Sequence, residues 1–237
     1  MHSREVSRAA LDPANDNART ASLRALREGW PVLLEPFVGV AFGVLARGAG
    51  LDPLTATAMS ALVFAGAAQF AMLDLVRSEA LPVVVIATVL LINSRHLLMA
   101  TALRPWFTPQ PLLARLGLGF LLTDETFALS TSYYARGGHR LAYYLTGGLV
   151  LWSVWVGATL LGASAGAALP EPRQIGLDFA VTAAFIAIVV IGVRDRLDIA
   201  IALLAALVAG LLRASGFAVV AVLVAGAIAP VLRVARR

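Results

Sequence analysis

Long apolar stretches recur from one end of this chain to the other, and they constrain its fold more than any other feature. A helix that crosses a bilayer needs about 20 mostly apolar residues. Hydrophobic residues make up 59% of the sequence and charged residues only 14%, whereas soluble domains average roughly 45–50% and about 25%. Lipid accommodates this surplus without burial, because the acyl chains are themselves an apolar solvent. The sequence therefore predicts an all-α integral membrane protein, a polytopic helical bundle.

Eight of these stretches are predicted to span the membrane, with six or seven as the alternative count. They cover residues 31–48, 53–76, 81–103, 112–134, 141–163, 175–193, 197–212 and 217–234. The seventh stretch is the shortest and could instead belong to a re-entrant pair. Residues 1–28 are predicted to form a partly disordered cytoplasmic N-terminal tail, in which 22–28 could form a short interfacial helix. The remainder, 29–237, is predicted to form one transmembrane domain.

The basic residues indicate how these spans are oriented. All nineteen are arginines. With eight spans, thirteen fall on the side of the N-terminus and five on the other side, while Arg95 lies within a span. Cytoplasmic loops of membrane proteins are enriched in basic residues, so both termini are predicted to be cytoplasmic. Topology and contacts with lipid headgroups then account for the net charge of +5, and nucleic-acid binding is not expected.

Aromatic and small residues predict where spans end and where helices meet. Four tyrosines bracket the loop before the fifth span and are predicted to lie at the headgroup level, where amphipathic rings are favoured. They are Tyr133, Tyr134, Tyr143 and Tyr144. Two glycine pairs with a spacing of four residues predict close helix contacts, because small residues let backbones approach. They are Gly39 with Gly43 and Gly162 with Gly166.

Several classes of chemistry are not expected from this sequence. The absence of cysteine excludes disulfides, thiolate metal sites and a cysteine nucleophile. The three histidines, His2, His96 and His139, are too scattered to predict a metal site. Motifs of metalloproteases, serine hydrolases, phosphate-binding loops and dinucleotide-binding folds are all missing. We therefore expect neither an enzyme nor a cofactor, since an intramembrane hydrolase would need a nucleophile and base that cannot be paired here.

Polar residues lie near the middle of the third stretch, in the order Asn93, Ser94, Arg95, His96. A charge near the bilayer centre costs at least about 2.5–3.5 kcal/mol, so these residues must face protein or water. On a continuous helix Asn93 and His96 share a face and Arg95 points elsewhere. If the helix instead breaks here, Asn93 or Ser94 could cap a half-helix whose free N–H groups suit a carboxylate. A purely structural role, in which Arg95 pairs with a buried carboxylate, is the alternative.

The fourth stretch carries a second polar group, Thr123, Asp124, Glu125 and Thr126. Thr123 could cap another half-helix with both acids in its first turn, where the helix dipole favours negative charge. We expect one carboxylate to neutralise Arg95 and the other to remain free to titrate. The sequence leaves open which acid has which role. Broken helices are thus predicted near Asn93 and Thr123.

Three further polar residues are weaker candidates. Glu35, next to Pro36, lies about one turn inside the first span and is predicted to snorkel to the interface. Gln69 is surrounded by small residues, which indicates either a tight helix contact or a cavity lined by backbone. Asp178, near the start of the sixth span, could be no more than a first-turn acid.

Five segments in chain order carry a family resemblance. They are GVAFGVLA at 39–46, SALVFAGAAQF at 60–70, NSRH at 93–96, LLTDETF at 121–127 and GLDFAVTAAFI at 176–186. Together they resemble the AzlC family of branched-chain amino acid permeases. Ser60, which opens the second segment, is a further and weaker candidate site residue. The candidate substrate or ion pathway is therefore Glu35, Ser60, Gln69, Asn93, Arg95, His96, Thr123, Asp124, Glu125 and Asp178.

The resemblance implies the large subunit of a two-component exporter in the bacterial cytoplasmic membrane, with a small AzlD-type membrane protein as partner. A zwitterionic amino acid needs an anion for its ammonium group, which Asp124 or Glu125 could supply. Its carboxylate needs a cation or free N–H donors, such as Arg95 or a broken helix. Because an apolar pocket discriminates one methylene only about 10–200-fold, valine, leucine, isoleucine and methionine are all expected cargoes. The competing hypothesis is a non-transporting scaffold or regulatory subunit, which would not need charges at membrane depth.

Overall fold

The computed structural model describes residues 12–29, 35–166 and 196–212, and all regular structure in these ranges is helical. A 3₁₀ turn at Pro13–Asn15 precedes the helices. They are α1 Ala18–Glu28, α2 Glu35–Gly48, α3 Pro53–Val63, α4 Gly66–Arg77, α5 Pro82–Asn93, α6 Arg95–Ala102, α7 Arg104–Phe107, α8 Leu112–Phe120, α9 Asp124–Ala135, α10 Leu141–Ala165 and α11 Arg196–Leu212. The predicted all-α fold is confirmed there. The sixth and eighth predicted spans lie outside the described residues.

Close contact between α2 and α10 forms the centre of the bundle. Gly39 on α2 faces Ala158 and Gly43 faces Ala163, so the two helices run parallel. A methyl group added to Gly43 would overlap the backbone of α10, and one added to Gly162 would overlap the backbone of α2. The helix contact predicted from glycine spacing is therefore confirmed.

The first helix packs against the start of α10. Asn17 caps α1, since its Oδ1 accepts from the amide of Thr20 at 2.9 Å while the Thr20 hydroxyl accepts from the amide of Asn17. Ala21 and Ala25 are buried. The helix thus begins four residues before the predicted one and lies against the protein. We call this side of the bundle the α1 end, and the side where α2 stops the Gly48 end.

The predicted second span is a hairpin whose arms are α3 and α4. Gln69 Nε2 donates to Ser60 Oγ at 2.9 Å, although a continuous helix would separate these residues by about 13 Å along its axis. At the end of α4, Arg77 Nη2 donates to the carbonyl of Leu45 in the last turn of α2, at 3.3 Å. Since α3 also starts next to the end of α2, both arms meet the Gly48 end. The prediction of a span over 53–76 is wrong.

The predicted fourth span is a second hairpin, built from α8 and α9, and it enters from the α1 end. Tyr144 Oη, in the first turn of α10, donates to the carbonyl of Leu118 in α8 at 2.6 Å. At the end of α9, the ring of Tyr134 stacks on Trp106, with centroids 4.0 Å apart. Trp106 belongs to α7, which directly precedes the hairpin. Both arms therefore meet the same end of the bundle, and the prediction of a span over 112–134 is also wrong.

Two stretches in the described ranges are long and apolar enough to cross a membrane, Pro82–Ala102 and Leu141–Ala165. The first joins α5 to α6 through Ser94, which keeps helical angles of φ −55° and ψ −27°. The predicted break near Asn93 is therefore a one-residue irregularity, and no half-helix opens there. By contrast, Thr123 has extended angles and starts a new helix, so the predicted break at that residue is confirmed.

Ion pairs and stacked rings fasten α1 to the loop between α9 and α10. Arg136 donates to both carboxylate oxygens of Glu28, at 3.1 and 2.6 Å, and Tyr143 Oη donates to the same carboxylate at 2.8 Å. Tyr133 stacks on Tyr143 with centroids 4.1 Å apart. Both rings are buried. These two tyrosines therefore pack inside the protein beneath α1 and not on its surface, while their predicted position at the headgroup level stays a prediction.

Candidate functional site

The tips of the two hairpins meet in the middle of the bundle. Phe64, at the tip of the first, lies against Phe120, at the tip of the second, with ring centroids 6.1 Å apart. A cavity of about 130 Å³ opens beside these tips. Its wall consists of Glu35, Val38, Phe64, Ala65, Gly66, Ala67, Phe70, Arg95, His96, Thr123, Asp124, Glu125, Leu151 and Trp155.

The start of α9 supplies the acidic part of this wall. The amide of Thr123 donates to Thr126 Oγ1 at 2.8 Å, and Thr126 Oγ1 donates to the carbonyl of Leu121 at 2.9 Å. Thr126 also donates its amide to Thr123 Oγ1. This capping box fixes the helix start, so Asp124 and Glu125 occupy the first turn, where the helix dipole stabilises carboxylates.

One of the two acids is neutralised by the third predicted span. Arg95 Nη2 lies 2.8 Å from Asp124 Oδ2, and both side chains are about two-fifths exposed, at 38% and 42%. Glu125 has no ion pair within the described residues. In the structure it is therefore Asp124 that pairs with Arg95, while a titrating role for Glu125 stays a prediction.

The tip of the first hairpin contributes backbone. Phe64 adopts left-handed angles of φ 42° and ψ 50°, which turn the chain between α3 and α4. The second arm then starts at Gly66, and no side chain of the described residues caps it. Ala65, Gly66 and Ala67 all line the cavity. Both roles predicted for this small-residue segment are observed, since it lines the cavity and Gly66 also lies in tight contact with Trp155 of α10.

The first residue of α2 also reaches the cavity. Glu35 lines the wall together with Asp124 and Glu125, so its carboxylate does not snorkel to the interface as predicted. In the part of the chain that the structure describes, three acidic residues and one arginine therefore line the same small volume, together with His96. Such an excess of acid favours a cationic group or a proton in the cavity.

The rest of the wall is mostly apolar, and although an apolar pocket was expected for the side chain, the residues that form it were not predicted from the sequence. Four large apolar side chains line this part of the cavity, namely Phe64, Phe70, Leu151 and Trp155. In a membrane protein, apolar side chains facing lipid and apolar side chains facing a cavity have the same sequence pattern. The nearest signal was the segment FAGAAQF, in which two phenylalanines flank the small residues.

The structure brings most of the predicted site residues together. Six line the cavity, and they are Glu35, Arg95, His96, Thr123, Asp124 and Glu125. Ser60, Gln69 and Asn93 are not part of the wall. Gln69 nevertheless touches it, because its Oε1 accepts from Trp155 Nε1 at 3.1 Å. Asp178 lies outside the described residues.

Comparison with known proteins places the chain among membrane proteins. A protein of Archaeoglobus fulgidus named an uncharacterized membrane protein is 32% identical over 163 residues, which cover 67% of this chain and 69% of that protein. One of the same name from Helicobacter pylori is 30% identical over 176 residues, covering 69% and 74%. The inner membrane protein YgaZ of Escherichia coli is 26% identical over 211 residues, covering 86% and 85%. No solved structure matches the chain.

The family model described as AzlC protein matches residues 32–169. This range contains both hairpins, the helix that carries Arg95 and the whole cavity wall. Its relatives are membrane proteins, and the family is generally linked to membrane transport. The chain is a membrane protein that belongs to the AzlC family.

Proposed function

We propose that this chain is the large subunit of a secondary exporter for branched-chain and other hydrophobic amino acids, such as valine, leucine, isoleucine and methionine. The observation that carries the proposal is the composition of the cavity. One part of its wall holds charges of both signs, and another part is apolar. A hydrophobic amino acid has the same division, with an ammonium and a carboxylate at one end and an alkyl group at the other.

The charged wall suggests how the two ends of the backbone group are held. Glu125 has no ion pair within the described residues, so its carboxylate is available to the ammonium group. The cargo carboxylate finds Arg95 and the uncapped start of α4 at Gly66, since helix N-termini favour anions. The alkyl group then lies towards Phe70 and Trp155.

The arrangement of the hairpins supports transport over a static role. One hairpin reaches the cavity from the Gly48 end and the other from the α1 end, so each separates the cavity from a different side of the membrane. Discontinuous helices that meet at a central site are common in secondary transporters. No ATP-binding motif occurs in the sequence, and we propose proton exchange as the driving force, carried by the surplus carboxylates and His96. Export that persists after collapse of the pH gradient would contradict this coupling.

A partner subunit is part of the proposal. We expect a small AzlD-type membrane protein to be required for export. The helices α5 and α6 support this expectation, because none of their residues is buried. They offer a long apolar flank to another membrane protein or to lipid.

Amino acid efflux from dipeptide-loaded cells tests the proposal. Cells would carry the chain with its small partner, the chain alone, or the chain with Asp124→Asn or Glu125→Gln. We expect efflux of all four amino acids only with the partner, and a loss of at least about tenfold in both variants. Asp74→Asn is the matched control, because Asp74 is an exposed carboxylate on α4 outside the cavity wall.

The alternative function is a membrane scaffold or regulatory subunit. A scaffold predicts that the folded chain with its partner exports none of the four amino acids. Retained efflux in both cavity variants would contradict the assignment of the site. Loss of efflux in Asp74→Asn to the same extent would show that the variants act through folding.

A further inference from the structure

A buried hydrogen-bonded network lies behind the cavity and takes no part in the charge contacts above. Ser60 Oγ and Thr159 Oγ1 are 2.8 Å apart, Gln69 Nε2 donates to Ser60 Oγ at 2.9 Å, and Trp155 Nε1 donates to Gln69 Oε1 at 3.1 Å. These four side chains are at most 4% exposed. The network joins α3, α4 and α10, and hydrogen bonds in so dry a place are strong and costly to break. It therefore fixes the position of the indole at its inner end.

Apolar contacts hold the same indole from two further sides. The ring of Phe42 stacks on Trp155 with centroids 6.1 Å apart and an interplanar angle of 25°. Gly66 lies so close that an added Cβ would come within 3.2 Å of Trp155 Cη2. These contacts block movement of the ring towards α2 and α4, because packed interiors leave few voids for a side chain to enter.

This fixed ring is part of the apolar cavity wall. We infer that Trp155 sets the upper size limit for the apolar part of the cargo, and that Gln69 is the positioning residue that holds Trp155 in place. The inference rests on the proposed function. A rigid wall excludes a side chain that is too large, because the overlap cannot be relieved by movement. If the indole were loosely held, it would move aside and the limit would disappear.

Exchange of the ring for a smaller side chain tests the size limit. We expect Trp155→Leu to raise the ratio of phenylalanine efflux to valine efflux by about tenfold or more, which is the scale of discrimination by an apolar pocket. Trp155→Phe is a milder change that can be used if Trp155→Leu does not fold, and we expect it to raise the same efflux ratio by less. Trp152→Phe is the matched control. Trp152 lies one turn away on α10 and donates to the carbonyl of Ala61 at 3.0 Å, but it does not line the cavity. The ratio of phenylalanine efflux to valine efflux in Trp152→Phe should therefore stay unchanged.

The role of Gln69 needs a measurement that a purely structural residue would not change. Gln69→Met keeps the length of the side chain and loses both hydrogen bonds, whereas Gln69→Glu keeps an acceptor for the indole N–H. We expect the methionine variant to raise the efflux ratio severalfold and the glutamate variant to restore it. In protein with the other three tryptophans changed to phenylalanine, Gln69→Met should also increase acrylamide quenching of Trp155 fluorescence.

The outcomes separate this inference from the proposed function. An unchanged ratio in Trp155→Leu and Gln69→Met, in protein that still exports valine, would overturn the inference and leave the function standing. Equal loss of phenylalanine and valine efflux would show that both residues only maintain the fold, which also overturns it. Absence of efflux from the unaltered protein with its partner would overturn the proposed function and, with it, the size limit.

Discussion

At the scale of single residues, the described part of the cavity wall contains more acid than base. Among the described residues, Arg95 is the one arginine beside three carboxylates, and it pairs with Asp124 and not with Glu35 or Glu125. Surplus carboxylates at membrane depth are expensive unless a cation or a proton joins them. The excess of negative charge is therefore a physical reason for the site to bind an ammonium group, whatever the rest of the cargo is.

The Arg95–Asp124 ion pair should be measurable as a coupling energy. Arg95→Gln removes the cation of this pair and Asp124→Asn removes its anion, whereas the double variant removes both partners. We expect the double variant to lose about 1 kcal/mol less free energy of unfolding than the two single variants lose together. This is the upper range for partly exposed pairs. Thermal unfolding of the three variants in detergent measures this coupling, and strictly additive losses would contradict it.

At the scale of elements, sequence reasoning succeeded where a local rule determines the structure. The start of α9 was predictable, because Thr123 is a good N-cap and two acids follow it. The turn at Phe64 could not be predicted, since phenylalanine rarely adopts a positive φ. No proline lies nearby, and Gly66 is the one glycine of the segment. Hydropathy also could not identify the hairpins. Two short helices in sequence, such as α3 and α4, have the length of one span, and only contacts such as Gln69 with Ser60 reveal that the chain turns back.

The crossing of α2 and α10 predicts a position-specific effect of an added methyl group. Gly43→Ala places a Cβ against the backbone of α10, which cannot move aside as a side chain can. We expect a loss of at least about 1–3 kcal/mol in the free energy of unfolding. Gly157→Ala, on α10 itself, is the control, because an added Cβ there has no atom within 4 Å. Equal melting temperatures for the two variants would contradict the close crossing.

The docking of α1 should depend on pH through its carboxylates. Burial opposes ionisation of Glu28, but hydrogen bonds from Arg136 and Tyr143 outweigh it, so the pKa of this carboxyl lies below its ordinary value of 4.5. Burial likewise opposes and Arg24 favours ionisation of Asp16, whose pKa is also lowered. A lowered native pKa means stability that is present above the unfolded pKa and is lost as the pH falls through the native one.

The docked state of α1 is therefore complete at neutral pH and should loosen only in acid. We expect amide hydrogen exchange in α1 to accelerate severalfold more than in the middle of α10 once the pH falls below 4.5, after correction for intrinsic rates. Glu28→Gln should show part of this acceleration already at neutral pH, because the neutral amide loses the ion pair with Arg136. Identical protection of α1 across this range would contradict the assignment.

At the scale of the whole molecule, the two hairpins place several loops at the end of the bundle opposite to the one that the eight-span scheme predicts. Within the described residues, seven arginines now lie at the α1 end, namely Arg19, Arg24, Arg27, Arg104, Arg115, Arg136 and Arg140. Arg47 and Arg77 lie at the Gly48 end. The eight-span scheme had placed Arg77, Arg104 and Arg115 on the opposite sides. Over these nine arginines the bias is stronger than in the eight-span scheme, and by the positive-inside rule it predicts a cytoplasmic α1 end.

The natural absence of cysteine allows a direct test of this topology. Single cysteines at exposed positions 48 and 78 flank the first hairpin, and those at 108 and 139 flank the second. If both hairpins are re-entrant, a membrane-impermeant maleimide added from outside labels Gly48→Cys and Ser78→Cys alike. Thr108→Cys and His139→Cys then react only after the cells are opened. In the eight-span arrangement, each pair would be divided by a membrane, so one member of each would react and the other would not. Labelling of position 48 without position 78 would therefore restore the second span, and with it the original assignment of the arginines.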